Sequence, residues 1–247
     1  MSMFKDKVVW ITGAGTGVGR AVAHMYAREG ATMALFGRRP EPLEGVYDEV
    51  CRLGGHGVWQ AVDVSDRQAL AAAAKEVMEK LQRVDILVNN AGLNIVDRSL
   101  EKLTPEGWDQ VVQVNLTGAF NVIHTVLPAM RQQKDGLIIN ISSIAGVKPS
   151  ALAGGAYTAS KFGLTGFNGV INEEEWRNGI RATAVCPGEI NTPIMEKRPV
   201  KLSQDDLDRM IQPEDLADTV RFLSAMPART HIPEILVMPV HRRTGGP

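Results

Sequence analysis

The chain has 247 residues, of which 44% are hydrophobic and 22% are charged, and its 27 basic side chains nearly balance 28 acidic ones. This composition excludes an intrinsically disordered chain. The formal net charge of −1 gives no reason to expect nucleic acid or a membrane as a partner. A chain of this length buries enough apolar surface to fold without a disulfide or a structural metal.

The cysteines and the apolar runs exclude further classes of protein. Cys51 and Cys186 lie far apart, with no histidine at metal-ligand spacing, so we expect neither a metal site nor a disulfide. The first apolar run, residues 8–11, is too short for a signal peptide. No later run approaches the roughly 20 residues of a membrane span, and we therefore expect a cytoplasmic protein.

Short apolar runs alternate with segments of helical periodicity along the chain. Most runs are continuously apolar, which is typical of strands in a sheet that helices cover on both faces. The predicted strands are residues 8–11, 32–36, 58–62, 86–88, 137–141, 182–185 and 235–238. The predicted helices are residues 20–28, 42–53, 67–81, 108–131, 157–177 and 214–224, with Asp66 and Pro213 as start signals. This alternation predicts an α/β fold, a Rossmann-type doubly wound parallel sheet of about seven strands with helices on both faces.

The chain carries no internal repeat and no linker-like change in composition, so we expect residues 1–247 to form a single domain. Residues 188–212 read as one long irregular stretch. A loop of that length inside a compact domain is typically a lid or a binding loop. We therefore predict a substrate lid over residues 188–212.

A glycine-rich segment follows the first predicted strand. Residues 12–20 read TGAGTGVGR, which fits the pattern T-G-x-x-x-G-x-G. Glycines let the backbone turn tightly and approach a pyrophosphate, whose charge the N-terminus of the next helix stabilises. The segment predicts a dinucleotide site that includes Gly13, Gly15, Thr16, Gly17 and Val18.

Four further motifs follow in order. Residues 89–92 read NNAG, and Asn115 lies in the predicted helix 108–131. Residues 142–146 read SSIAG, and residues 157–161 read YTASK. With the glycine-rich segment, they resemble the classical short-chain dehydrogenase/reductase family. The branch it resembles prefers NADP and lacks the usual C-terminal D-G-G segment, since residues 232–240 read IPEILVMPV before a basic tail. The resemblance implies that Asn115, Ser143, Tyr157 and Lys161 are catalytic and that no metal takes part.

The chemistry of two of these residues agrees with the resemblance. Tyr157 and Lys161 are four residues apart, so on a helix they share one face. A phenol has a pKa near 10, which must fall by about 3 for the group to act as a base at neutral pH. The Lys161 ammonium and the positive nicotinamide ring of an oxidised cofactor together favour the phenolate. We predict that Tyr157 protonates a carbonyl oxygen as hydride arrives; the resemblance implies that Lys161 also holds the nicotinamide ribose.

The other two catalytic assignments each have an alternative. The family pattern S-x-x-G matches Ser143 to Gly146, so Ser143 is predicted to orient the substrate oxygen, with Ser142 as its competitor. Asn115 resembles the family's asparagine that holds a water in a proton relay. Its alternative is an amide on the helix surface.

The end of the second predicted strand bears on the choice of cofactor. Relatives that prefer NAD place an acidic residue there to bind the ribose hydroxyls. This chain has Gly37 at that position, followed by Arg38 and Arg39. With no carboxylate to repel a 2′-phosphate and a guanidinium to pair with it, NADP(H) is favoured. Arg38 is predicted to bind the phosphate, and Arg39 is either a second partner or a solvated charge.

The resemblance implies several more cofactor contacts. The residues concerned are Asp63 and Val64 at the adenine, Asn90 beside the glycine-rich segment, and Ile190 and Thr192 at the carboxamide.

The sequence therefore predicts an NADP(H)-dependent oxidoreductase that interconverts a small alcohol and its carbonyl compound, the alcohol being a hydroxy acid, a secondary alcohol or an aldehyde-derived alcohol. The alternative is a non-catalytic NADP(H)-binding sensor or scaffold. The basic residues that could receive a substrate carboxylate, or remain merely solvated, are Lys148, Lys197, Arg198 and Lys201. By the resemblance, the two long predicted helices form a dimer surface, so we expect a homodimer or a homotetramer.

Overall fold

In a computed structural model of the chain, which describes residues 2–198 and 201–241, seven strands form one parallel sheet. The strands are β1 (Val8–Thr12), β2 (Thr32–Gly37), β3 (His56–Ala61), β4 (Ile86–Asn89), β5 (Gly136–Ile141), β6 (Ile180–Pro187) and β7 (Glu234–Val237). Their order across the sheet is β3-β2-β1-β4-β5-β6-β7, and each neighbouring pair runs parallel. The direction of winding reverses between β1 and β4, where α/β sheets bind ligands at the carboxyl ends of their strands.

Helices cover both faces of this sheet, which confirms the predicted fold class. The helices are α1 (Gly17–Arg28), α2 (Pro40–Arg52), α3 (Arg67–Leu81), α4 (Pro105–Val112), α5 (Ala119–Gln133), α6 (Gly155–Glu175), α7 (Gln204–Asp208) and α8 (Pro213–Ala225). Buried side chains of α1, α2 and α8 form a core on one face, and those of α3, α5 and α6 form a core on the other. Adjacent residues of β1, Val9 and Trp10, enter opposite cores and are 0% and 1% exposed. A strand buried on both sides must be continuously apolar.

The predicted helix starts agree with the capping contacts. The Asp66 carboxylate accepts hydrogen bonds from the main-chain N–H groups of Gln68 and Ala69 at the start of α3. Pro213 is the first residue of α8, and Gln212 and Asp215 form a reciprocal cap there. Both devices satisfy N–H groups that have no partner within the helix.

Several element boundaries differ from the predictions, and three of these differences have a clear physical cause. The helix predicted over residues 108–131 is divided into α4, a π-helical segment Gln113–Gly118 and α5. Apolar periodicity does not register the one extra residue of such a turn. Helix α1 begins at Gly17 rather than at residue 20, because the glycine-rich turn runs directly into it although glycine is a poor helix former. Strand β3 begins at His56 rather than at residue 58, since pairing with β2 extends it.

The stretch 188–212 is more ordered than predicted. It contains a 3-10 helix, Pro193–Lys197, and α7, so the expectation of one irregular segment is wrong. Ser203 and Asp206 form a capping box at α7, a short S-x-x-D signal that helical periodicity over so few residues does not reveal. An isolated parallel bridge joins Ile190 to Ile211 and brings the two ends of the stretch together.

Two further observations concern the C-terminal tail and the length of the helices. The basic tail predicted after residue 240 falls, from residue 242 onward, outside the described residues. Within the described ranges, none of the helices combines the length and the apolar character that crossing a bilayer requires.

Candidate active site

The glycine-rich loop between β1 and α1 forms a cradle that side chains would fill. Gly13 has a φ of +64°, and a Cβ there would lie 2.9 Å from the Nδ2 atom of Asn90. At Gly19, a Cβ would lie 2.3 Å from the Gly13 carbonyl oxygen. The bare backbone can approach an anion closely, beside the first N–H groups of α1. The loop therefore fits the pyrophosphate of a dinucleotide.

Asn90 ties this loop to the end of β4. Its Nδ2 atom donates hydrogen bonds of 3.0 Å to the Thr12 carbonyl oxygen and 3.2 Å to that of Gly13. The Thr12 hydroxyl oxygen accepts from the main-chain N–H groups of Asn90 and Ala91. Asn90 lines the cleft as predicted, and these contacts add a supporting role. Thr12 was not predicted to have one, although it opens the T-G-x-x-x-G-x-G pattern.

One end of the cleft lies beside the carboxyl ends of β2 and β3. The predicted cofactor residues that line this end are Gly13, Gly15, Thr16, Arg38, Asp63 and Val64. Gly37 and Arg39 line it as well. The Arg38 guanidinium is half exposed and lies 3.8 Å from the Asp63 carboxylate. That carboxylate also accepts hydrogen bonds from the main chain and hydroxyl of Ser65, which hold it in place. Arg39 is exposed and lines both ends of the cleft.

The other end is a larger cleft of about 520 Å³ that shares Gly13, Thr16, Arg39 and Gly92 with the first. A volume of this size suits a small-molecule site. The predicted residues that line it are Gly17, Val18, Asn90, Ser143, Tyr157, Lys161, Ile190 and Thr192. The structure thus places the predicted cofactor residues and three of the four predicted catalytic residues along one continuous cleft.

Lys161 is buried at the base of this cleft. Its Nζ atom donates a 2.8 Å hydrogen bond to the Ile141 carbonyl oxygen and lies 5.7 Å from the centroid of the Tyr157 ring. Burial lowers the pKa of the Lys161 ammonium to about 8. Helix α6 carries both side chains on one face, as their spacing predicts.

The surroundings of Tyr157 have opposing effects on its ionisation. Burial raises the pKa of Tyr157, while the neighbouring Ser143 hydroxyl and the positive charge of Arg98 oppose that rise. The net direction is opposite to the lowering that the sequence predicts from Lys161 and a cofactor together. Desolvation by the folded chain, which spacing does not reveal, is the reason.

The two serines after β5 face different partners. The Ser142 hydroxyl bonds with Thr165 at 2.9 Å and with the Lys161 carbonyl oxygen at 3.3 Å, so it is engaged with α6. The Ser143 hydroxyl oxygen accepts a hydrogen bond from the Ala145 N–H at 3.1 Å. The same hydroxyl opposes the rise that burial causes in the pKa of Tyr157. This arrangement favours Ser143 over Ser142 as the serine beside the reacting oxygen.

Asn115 lies behind the cleft in the π-helical segment. It is 0% exposed, which excludes the alternative of a surface amide. Its Oδ1 atom accepts from the Leu93 N–H at 2.8 Å, and its Nδ2 atom donates to the Leu93 carbonyl oxygen at 3.0 Å and to the Ser160 hydroxyl at 3.2 Å. Asn115 therefore joins the loop after β4 to α6. π-Helical turns often occur at functional sites.

The predicted substrate-binding cations lie in different environments. Lys197 lines the cleft, Arg198 forms an ion pair with Glu189, and Lys148 and Lys201 are exposed. The sequence did not indicate the buried Arg98, because a single cation in a loop carries no periodic or motif signal.

Comparisons with known proteins agree with this geometry. A profile of the short chain dehydrogenase family matches residues 7–202. The chain is 38% identical over 228 residues to a 3-oxoacyl-(acyl-carrier-protein) reductase of Thermotoga maritima, covering 90% of this chain and 91% of that protein. It is also similar to a crystal structure of a metagenomic short-chain oxidoreductase in complex with NADP, with a TM-score of 0.84, 36% identity and coverage of 97% and 100% of the two chains. A 3-oxoacyl-(acyl-carrier-protein) reductase of Brucella melitensis with bound NAD gives a TM-score of 0.83, 31% identity and coverage of 95% and 89%. The chain belongs to the short-chain dehydrogenase/reductase family of oxidoreductases.

Proposed function

We propose that this chain is an NADP(H)-dependent oxidoreductase that interconverts a small alcohol and its carbonyl compound, with Tyr157 as the acid and base. The observation that carries the proposal is that Tyr157, Ser143 and Lys161 line one cleft, which continues into the glycine-rich cradle. A dinucleotide bound along that cleft would have its reactive ring beside the three side chains. A phenol, a hydroxyl and an ammonium there can bind and protonate a carbonyl oxygen.

The side chains divide the work of carbonyl reduction. The bound cofactor supplies the hydride for the carbonyl carbon. Tyr157 donates its phenolic proton to the carbonyl oxygen, and Ser143 donates a hydrogen bond that holds this oxygen next to the phenol. Lys161 would hold the nicotinamide ribose, and its charge would stabilise the phenolate left on Tyr157. In alcohol oxidation the same proton returns to Tyr157.

Asn115 is proposed to support this proton transfer from behind the cleft. Its two hydrogen bonds to Leu93 and the third to Ser160 fix the loop after β4 against α6. A Cβ on Gly92 would lie 3.3 Å from the Asn115 Oδ1 atom and 3.7 Å from the Lys161 Nζ atom, so both groups lie beside Gly92, and a water bound between them would connect Asn115 to Lys161.

The preference for NADP(H) rests on the end of β2. Gly37 supplies no carboxylate, and Arg38 and Arg39 both line the cleft there. A 2′-phosphate forms charge-assisted hydrogen bonds with guanidinium groups. The residues proposed to contact the cofactor are Gly13, Gly15, Thr16, Gly17, Val18, Arg38, Asp63, Val64, Asn90, Tyr157, Lys161, Ile190 and Thr192. Since similar structures carry either NADP or NAD, the preference depends on this chain's own residues.

We also propose a single domain for residues 1–247, a lid over 188–212 and a homodimer or homotetramer. In support of the lid, the segment Pro193–Lys197 lines the cleft on the side facing Tyr157. In support of the oligomer, large apolar side chains are 39–48% exposed along α4, α5 and α6. These are Trp108, Phe120, Phe162 and Val170. Light scattering during size-exclusion chromatography measures the molar mass and so tests the oligomer. A monomer at micromolar concentration would contradict it.

The function is tested by following nicotinamide absorbance with NADPH and with NADH over a panel of aldehydes, ketones and oxo acids. We expect turnover of at least one carbonyl class with NADPH. Replacement of Tyr157 by Phe should reduce kcat by about a thousandfold, because it removes the proton donor. The dissociation constant for NADPH, measured by fluorescence, should change little. Substantial turnover by Tyr157→Phe would count against the mechanism, and NADPH binding without any turnover would favour the sensor alternative.

A further inference from the structure

Arg98 is a buried cation that the proposed mechanism does not use. It lies in the loop between β4 and α4, and only 9% of its surface is exposed. Its Nε atom is buried without a hydrogen-bond partner. Within residues 2–198 and 201–241, none of the ion pairs includes it. A desolvated guanidinium is strongly unfavourable unless an anion balances its charge, and the described chain provides Arg98 with no such anion.

The position of Arg98 links it to two segments that line the catalytic cleft. Its Nη2 atom donates a hydrogen bond to the carbonyl oxygen of Lys197, a residue of the cleft wall. On its other side it packs against Gly154, where a Cβ would lie 2.6 Å from the Cβ of Arg98. Gly154 caps the start of α6, one turn before Tyr157. The positive charge of the guanidinium opposes the rise that burial causes in the pKa of Tyr157.

Among the candidate substrate-binding cations, Lys197 is exposed in the cleft wall, and the other three are neutralised or solvated. Arg198 is mostly buried, and its guanidinium pairs with the Glu189 carboxylate. Lys148 is exposed and Lys201 is exposed, so water solvates both charges. Arg198 also adds a repulsive positive charge near Arg98, which with burial lowers the pKa of Arg98. A second anion at this place would relieve both effects.

We propose that Arg98 is a specificity-determining residue that binds a carboxylate of the substrate, so that the enzyme interconverts an oxo acid and the corresponding hydroxy acid. This inference rests on the proposed function. A carboxylate placed against the Arg98 guanidinium would balance its charge in a charge-assisted pair. Because Nη2 holds the Lys197 carbonyl, the same guanidinium would connect the bound acid to the lid.

The test compares 2-oxo and 3-oxo acids with the methyl esters of the same acids. An ester keeps the reacting carbonyl and removes the negative charge, so the acid-to-ester ratio of kcat/KM isolates recognition of the carboxylate. We expect wild-type protein to prefer the acid, and Arg98→Gln to lower the ratio by about tenfold to a hundredfold, as for loss of a hydrogen bond to a charged group. Arg98→Lys, which keeps the charge without the planar fork, should give an intermediate ratio. Arg52→Gln, at an exposed arginine at the end of α2, is the matched control, with an unchanged ratio.

The outcomes separate this inference from the proposed function. If Arg98→Gln lowers kcat/KM equally for acid and ester, Arg98 only positions the segment of Lys197 through its carbonyl group, and the inference is overturned. It would also be overturned if wild-type protein reduced esters or neutral ketones and no acid, while the proposed function would stand. No turnover of any carbonyl with either cofactor would contradict both. If Arg98→Gln fails to fold, the acid-to-ester ratio of Arg98→Lys is the deciding measurement. A ratio equal to that of wild-type protein would contradict a guanidinium–carboxylate pair and overturn the inference.

Discussion

The Nζ atom of Lys161 lies 5.7 Å from the centroid of the Tyr157 ring, one helical turn away on the same face of α6. The ammonium is buried there and bonds to the Ile141 carbonyl oxygen. Its pKa of about 8 means that its charge changes within an accessible pH range, whereas an exposed lysine stays charged to much higher pH. The chain thus holds, beside the phenol, a cation whose burial is unfavourable.

This burial predicts a pH-dependent effect of Lys161→Met on stability. The pKa of Lys161 is lower in the folded chain than in the unfolded chain, so folding releases a proton between about pH 8 and the usual lysine value. The destabilisation that results from burying the charged Lys161 side chain is therefore absent at high pH. It grows as the pH falls from the usual lysine value toward about 8, and it is fully present below that pH. At pH 7, Lys161→Met should raise the free energy of unfolding of the cofactor-free protein, by up to an amount on the order of 3 kcal/mol.

Urea unfolding at several values between pH 7 and pH 10 measures this difference. The advantage of Lys161→Met over wild-type protein should shrink as the pH rises. Lys148→Met, at an exposed position, serves as the control and should show no such trend. A difference between Lys161→Met and wild-type protein that stays constant over this range would contradict the lowered pKa.

The guanidinium groups after β2 predict a selective effect on cofactor affinity. Arg38→Gln should raise the dissociation constant for NADPH by about tenfold, because a charge-assisted hydrogen bond to the 2′-phosphate is lost. The constant for NADH should change by less than about twofold. Arg39→Gln tests whether the second guanidinium shares the phosphate, and Arg52→Gln, an exposed arginine at the end of α2, is the control. Equal constants for NADPH and NADH in wild-type protein would contradict the preference.

The sequence allowed the fold and most of the cleft to be predicted because both depend on local patterns. Continuously apolar runs such as residues 137–141 can be buried only in a covered sheet, and the alternation of strands and helices implies that the strands are parallel. Tyr157 and Lys161 are brought together by helical spacing alone. The glycine-rich loop is recognisable because Gly13 and Gly19 stand where no side chain fits.

Features that depend on contacts between distant residues could not be predicted. The π-helical turn at Asn115 accompanies its bonds to Leu93, a partner 22 residues away that periodicity does not report. The direction of the pKa of Tyr157 depends on burial by several segments. Arg98 becomes conspicuous only when the chain folds around it and leaves its Nε atom without a partner.

The buried amide of Asn115 predicts a loss of both stability and activity. In Asn115→Ala, the main-chain N–H and carbonyl groups of Leu93 lose their partners, which should lower the free energy of unfolding by about 2 to 3 kcal/mol. The loop after β4 would then loosen beside Lys161, so kcat should also fall. Asn172→Ala is a matched control, because Asn172 makes the same pair of bonds to Ala182 away from the cleft. It should lose similar stability and keep kcat; an equal loss of kcat in both variants would contradict a positioning role for Asn115.

The close approach within the glycine-rich loop predicts opposite effects for two glycine-to-alanine substitutions. In Gly19→Ala, the new Cβ would lie 2.3 Å from the Gly13 carbonyl oxygen and 2.8 Å from the Asn90 Nδ2 atom, so the loop backbone must shift. We expect a loss of about 1 to 3 kcal/mol in the free energy of unfolding and at least about tenfold weaker NADPH binding. Gly45 lies on an exposed part of α2, with nothing within 4 Å of a Cβ. Gly45→Ala should therefore stabilise the protein by about 0.5 to 1 kcal/mol and leave NADPH binding unchanged, since alanine is the better helix former. Urea unfolding and fluorescence titration measure both quantities, and tight NADPH binding by Gly19→Ala would show that the cradle tolerates a side chain and is not the pyrophosphate site.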